Sequence, residues 1–145
     1  GGDFDLAGNA TINGNLSIKG SIVTETLHVS IMSYEKINSF GPVPTMAITG
    51  ATGAAATGSI SGTDVSGIIT INTGGSGLGS GILANIFFST PYSSNNPRVV
   101  IAPSAVGCAA MDYYVTNITA GGFSLATAST TPATVACRFN YIVIN

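Results

Sequence analysis

The chain has 145 residues, 45% of them hydrophobic, and only 7% are Asp, Glu, Lys or Arg, against roughly 25% in an ordinary soluble domain. That length holds one domain with one core, or a small domain with an appendage, and a net charge of -2 with four scattered basic residues (Lys19, Lys36, Arg98, Arg138) leaves no electrostatic footprint for nucleic acid. No apolar run approaches the ~18–20 residues of a spanning helix, so no membrane insertion is expected, and the apolar surface that so few charges leave uncovered calls for a second subunit.

The chain opens Gly1-Gly2-Asp3, with neither a basic flank nor an apolar stretch behind it, so no secretory signal is expected there. The lack of an initiator methionine suggests a fragment or a processed product. Within residues 1–30 a repeat is legible. Gly8, Gly14 and Gly20 are evenly spaced; Leu6, Ile12 and Ile18 sit two places before them, and Ala10, Leu16 and Ile22 two places after. A short unit of this kind describes a β-solenoid or an intertwined β-fibre, each unit a short strand and a turn. Glycine at the turn admits positive φ, and the asparagines that follow, Asn9 and Asn15, tolerate the same corner. One such path is too thin to enclose a core. Three copies around a common axis would bury the aliphatic rows against each other, so the segment is read as the shaft of a homotrimer.

Residues 31–58 are read as a neck or linker, because Gly41-Pro42-Val43-Pro44 is turn-like and residues 50–58 are of low complexity. From residue 59 onward the texture is that of strands between turn clusters. Strands are expected at 65–73, 82–89, 98–102, 113–118, 122–127 and 135–144, with breaks at Pro91, Pro97, Pro103 and Pro132. That spacing, without an amphipathic helix, indicates an antiparallel β-sandwich over residues 59–145. The last strand is apolar on both faces, Phe139, Tyr141 and Val143 on one and Ile142 and Ile144 on the other. Burial on both sides is expected, one of them against a neighbouring subunit. The glycine-rich run 74–81 lacks the endings of phosphate-binding motifs and is read as a mobile hairpin loop.

Apart from Asp3 and Asp5, the six carboxylates lie far apart in sequence, and the single histidine, His28, falls in the repeat. No acid–base constellation is selected, so no enzymatic activity, metal or cofactor is expected. Cys108 and Cys137 are read as buried free thiols, with a disulfide as the alternative. Asp112 beside Tyr113 and Tyr114 is the best polar–aromatic cluster, since ring faces and a carboxylate together hold a sugar. Tyr92, Arg98, Asp112 and Tyr113 are the candidate ligand-binding residues, Tyr141 a weaker one. Sequons occur at Asn9, Asn15 and Asn117.

The strand series from Ile86-Phe87-Phe88-Ser89-Thr90-Pro91-Tyr92 through Pro97-Arg98-Val99-Val100-Ile101 and Phe139-Asn140-Tyr141-Ile142-Val143-Ile144 resembles H-type lectin domains and the related heads of bacteriophage and other viral fibres. Its most specific phrase is Tyr114-Val115-Thr116-Asn117-Ile118-Thr119 leading through Gly121-Gly122 into Phe123-Ser124-Leu125. The stretch 58–67 is similar to the lead-in of C-terminal domains in viral fibre proteins, and the glycine repeat looks like fibre shaft. This resemblance implies a six-stranded sandwich that trimerises about its long axis. The expectation is an all-β homotrimer: a fibre or spike protein on the virion surface, joined to other virion proteins through its N-terminal end and mediating attachment to a host glycan or receptor. The alternative is a capsid decoration or cement protein without receptor binding. A cellular lectin or spore-surface filament is a third class, less in keeping with the low cysteine content.

Overall fold

A computed structural model describes residues 9–24, 27–33, 38–93 and 97–145. The chain divides into two compact units, Gly1–Lys36 and Ile37–Asn145. No helix among the described residues is long and apolar enough to cross a membrane.

In the first unit, bends fall at Asn13-Gly14 and again at Lys19-Gly20, on the period of the glycine repeat, and every described residue from 9 to 33 is exposed. No strand is present among these residues, although the repeat reads as strand and turn. An extended segment becomes a strand only when a ladder partner takes up its N–H and C=O groups. Leu6 and Gly8 lie outside the described residues. Ile12, Leu16, Ile18 and Ile22 are between 46% and 63% exposed.

The second unit is an all-β sandwich of two four-stranded antiparallel sheets. Its strands are β1 (Thr45–Ile48), β2 (Thr57–Gly62), β3 (Ser66–Asn72), β4 (Gly81–Phe87), β5 (Arg98–Pro103), β6 (Tyr113–Thr119), β7 (Gly122–Thr127) and β8 (Ala136–Ile144). The first sheet runs β1-β4-β7-β6 and the second β2-β3-β8-β5. All six strands expected from the sequence are present, in antiparallel pairing. Among the described residues the sandwich has eight strands, since β1 and the start of β2 lie in the 31–58 segment that reads as a neck. Both are edge strands, and an edge strand buries less than a central one.

The core forms where the central strands face each other. Alternation in β3 and β8 turns Ile69, Ile71, Phe139, Tyr141 and Val143 inward, and Ile86, Phe123 and Leu125 of β4 and β7 meet them. Phe88 stacks edge-on against Tyr92 at 4.9 Å between centroids, and Tyr113 against Phe139 at 5.4 Å. Burying each such side chain stabilises the fold by about 1.5–3 kcal/mol. The other face of β8 stays open: Ile142 and Ile144 are 51% and 57% exposed, beside Val100 of β5 at 58%. One face of the last strand is therefore buried within this chain and the other is not.

The glycine run corrects its expected role. It crosses from β3 in the second sheet to β4 in the first, so it is not a hairpin. It is also pinned on both sides: Gly74 N–H donates to the Thr52 carbonyl at 2.8 Å, Ala54 N–H to Ser76 at 2.8 Å, and Thr131 N–H to Gly79 at 3.1 Å. A Cβ on Gly74 would collide with the Ala54 backbone, which is why the crossover takes glycine there.

Cys108 and Cys137 are also corrected. They are buried, as expected, but joined in a disulfide across a separation of 29 residues, with Cα atoms 5.2 Å apart, a spacing well suited to the bond. The bridge ties the short 3-10 turn Val106–Cys108, which joins β5 to β6, to the start of β8.

Candidate functional site

The β2–β3 turn carries Asp64, nine-tenths buried. Thr63 N–H closes the turn on the Ser66 carbonyl at 2.8 Å, and the Thr63 hydroxyl accepts from Val65 N–H at 3.2 Å. The carboxylate reaches across to the connection after β4, where Oδ1 accepts from Ser89 N–H and Oδ2 from Thr90 N–H, both at 2.8 Å. Each is a charge-assisted bond that satisfies a backbone donor between the sheets. Tyr92 Oη donates to the Asp64 carbonyl at 3.0 Å, and Tyr141 Oη to the Thr63 carbonyl. Tyr141 has room to do so because its register partner on β3 is Gly67, where a Cβ would strike the phenol. Asp64 and these two tyrosines thus act as a latch closing one end of the sandwich. Asp64→Asn keeps one acceptor and sets an N–H2 group against the other amide, so it should lower unfolding stability by about 2 kcal/mol, read as a shift of the urea midpoint.

The latch has an alkaline signature. Burial first, then the negative charge of Asp64 and the neighbouring Tyr92, push the Tyr141 phenol up from 10.0 to about 12. Burial, then Asp64, raises Tyr92 as well. The folded state holds these protons more tightly than the unfolded chain, so the stability they contribute is complete below pH 10 and is lost as pH rises from 10 towards 12. Denaturant midpoints followed over that window should fall more steeply for the native sequence than for Tyr141→Phe. Parallel curves would remove the latch from the account.

A cleft of about 390 Å³ lies beside the latch, lined by Phe40, Pro42, Asp64, Val65, Tyr92 and Asn145. The structure divides the four sequence-predicted ligand residues between the two ends of the sandwich. Tyr92 and Arg98 lie at the latch end: Tyr92 N–H donates to the Ala120 carbonyl at 2.9 Å, and Arg98 is exposed opposite Ile144. Asp112 and Tyr113 lie at the disulfide end, where Tyr113 opposes Thr127, five residues along β7 from Gly122, or roughly 17 Å. Asp112 is exposed and its carbonyl accepts from Ala128 N–H at 2.9 Å, while the Tyr113 ring is committed to Phe139. Tyr141, the weaker candidate, is buried in the latch.

Sequence reasoning missed a polar row on the outer face of the first sheet, where Asn85, Ser124 and Asn117 join hands across β4, β7 and β6. Its residues come from three strands, and no local motif links them. The one available signal was Asn117 close before the Gly121-Gly122 pair, an asparagine in hairpin-turn company. Comparison of the chain with family models, with curated proteins and with solved structures gives no match.

Proposed function

We propose that this protein is a homotrimeric fibre or spike component on a virion surface, whose sandwich attaches the particle to its host. The observation that carries the trimer is apolar surface left without a partner. Of the repeat, Ile12, Leu16, Ile18 and Ile22 are about half exposed, Val100, Ile142 and Ile144 form an open apolar face on the second sheet, and the chain has few charges to offset either. Association about the repeat would give those segments both ladder partners and a core. The viral role rests on the resemblance of residues 82–145 and of the glycine repeat to fibre sequences. The N-terminal end is the part that would engage other virion proteins.

In this reading each sandwich binds a host glycan or receptor modestly, and repetition raises avidity by about 10² to 10⁴. The test immobilises the full chain on beads and measures host-cell adsorption, alongside particles treated with antibody to the sandwich. Arg98→Ala and Asp112→Ala are the first contact variants, since both side chains are exposed. Blocked adsorption supports attachment. Adsorption unchanged by antibody, with no bead binding, moves the assignment to the capsid decoration role.

A further inference from the structure

We propose that the outer face of the first sheet carries a binding site for a neutral pyranose sugar, built from Asn85, Ser124 and Asn117 beside the ring of Phe87. Its biological meaning, recognition of a host glycan, rests on the attachment reading; the site itself does not.

Asn85 and Ser124 are register partners on β4 and β7. Asn117 Nδ2 donates to Ser124 Oγ at 3.2 Å, and Ser124 Oγ donates in turn to Asn85 Oδ1 at 2.8 Å. Donation therefore runs one way along the row. It leaves Asn85 Nδ2 as a donor at one end and Asn117 Oδ1 as an acceptor at the other, neither with a partner among the described residues. Ser124, 3% exposed, is the fixed centre.

The backbone departs from regular geometry to make this row. The β6–β7 register shifts between Thr116 and Thr119, and Asn117 sits at φ 50. Regular alternation would place Asn117 on the face opposite Thr116, whose partner is Ser124. The bulge re-aims the amide onto the Ser124 side. Asparagine is among the few non-glycine residues that adopt this left-handed geometry readily, so the residue type suits the bulge it occupies.

Phe87, two residues beyond Asn85 on the same face, is 50% exposed. Its partner across the ladder is Gly122, where a Cβ would collide with the Ile86 carbonyl oxygen, so nothing fills the floor beside the ring. The resulting groove measures about 340 Å³, at the small end of the roughly 300–1,000 Å³ of small-molecule sites. Two amides, two hydroxyls, Ile86, Phe87, Phe123 and the Gly121-Gly122 pair line it, with Phe87 the exposed ring and no charged side chain among the described residues. A charged ligand would lose hydration there without gaining a counter-charge. A neutral pyranose offers what the groove lacks: adjacent hydroxyls that accept from one amide and donate to the other, and a C–H face for the ring.

The test uses the full chain made without N-glycosylation, because Asn117 begins a sequon. Saturation-transfer NMR is run with glucose, galactose, mannose, N-acetylglucosamine and N-acetylgalactosamine, with sialic acid as the charged comparison. Transfer to at least one neutral sugar at millimolar concentration is expected, stronger than to sialic acid, and weaker by roughly tenfold in both Asn85→Ala and Phe87→Ala. Phe87 is half exposed, so its variant keeps the fold if the other does not, and thermal melts check both. No transfer to any neutral sugar overturns the proposal, as does equal binding after both substitutions, preference for sialic acid, or occupation of the groove by a second copy of the chain. Host adsorption separates the two readings. Groove variants that adsorb normally while antibody still blocks would take host recognition away from this groove and leave attachment standing; sugar binding without any adsorption would leave the site standing and remove the attachment reading.

Discussion

Replacing Cys108 and Cys137 together with alanine should lower the stability of the sandwich by roughly 3–4 kcal/mol, a loss on the order of 10–20 °C in Tm. The bond closes a loop across a separation of 29 residues, and closing a loop of that size removes conformations from the unfolded chain worth about 3.5 kcal/mol. The loop carries all of β6 and β7, so the bridge restrains strands of one sheet through an anchor on the other. Both sulfurs are buried, and alanine leaves two small voids that add to the loss. Two measurements check the prediction. Alkylation of the unfolded, unreduced chain should find no free thiol, and a reductant should lower the native Tm while leaving the double variant unchanged. Two labelled thiols per chain, or a double variant as stable as the native sequence, would show that the cysteines act only as packing.

Replacing Ile12 and Ile18 with aspartate should dissociate the assembly, whereas replacing Asn13 and Lys19 should leave it intact. The two isoleucines lie in the same place in successive units of the repeat, 54% and 46% exposed in one chain. If three chains bury them, six side chains are involved, each contributing about 1.5–3 kcal/mol, and the loss is on the order of 10 kcal/mol per trimer. Introducing six carboxylates into an apolar contact adds their desolvation or the cost of protonating them. Asn13 and Lys19 sit at the bends, one place before each glycine and outside the aliphatic positions of the repeat. Sedimentation velocity on the two double variants decides the matter: equal effects would mean that the repeat is not a packed fibre.

The strands legible in the sequence are those whose burial forces a pattern. β3, β4, β7 and β8 are central and must present apolar residues to the opposite sheet, and β5 and β6 stand out between prolines and turn clusters. β1 and β2 escape notice for the same physical reason. As edge strands they bury little: β2 contributes only Ile60 to the core periphery and β1 only Met46. The rest of β2 is Thr, Gly and Ser, the small residues that also make linkers, and β1 is only four residues long. Asp64 reads as an ordinary turn carboxylate because its partners, Ser89 and Thr90, are distant in sequence and contribute only backbone N–H groups, which leave no mark on residue identity. The disulfide stands only as the alternative in the sequence for a related reason, since two cysteines at that separation fit either state until the fold brings β8 beside the β5–β6 turn. Of the candidate ligand residues, the aromatic and charged types were identifiable, but not their segregation to opposite ends of the sandwich. That depends on which strands run side by side.

The central claim is that the chain works as a trimer, and native mass spectrometry of the full chain at micromolar concentration tests it most directly. The account predicts one dominant species at three times the 14.5 kDa of a single chain, persisting on dilution and lost in the Ile12→Asp/Ile18→Asp variant. A stable, folded species at the single-chain mass would contradict it.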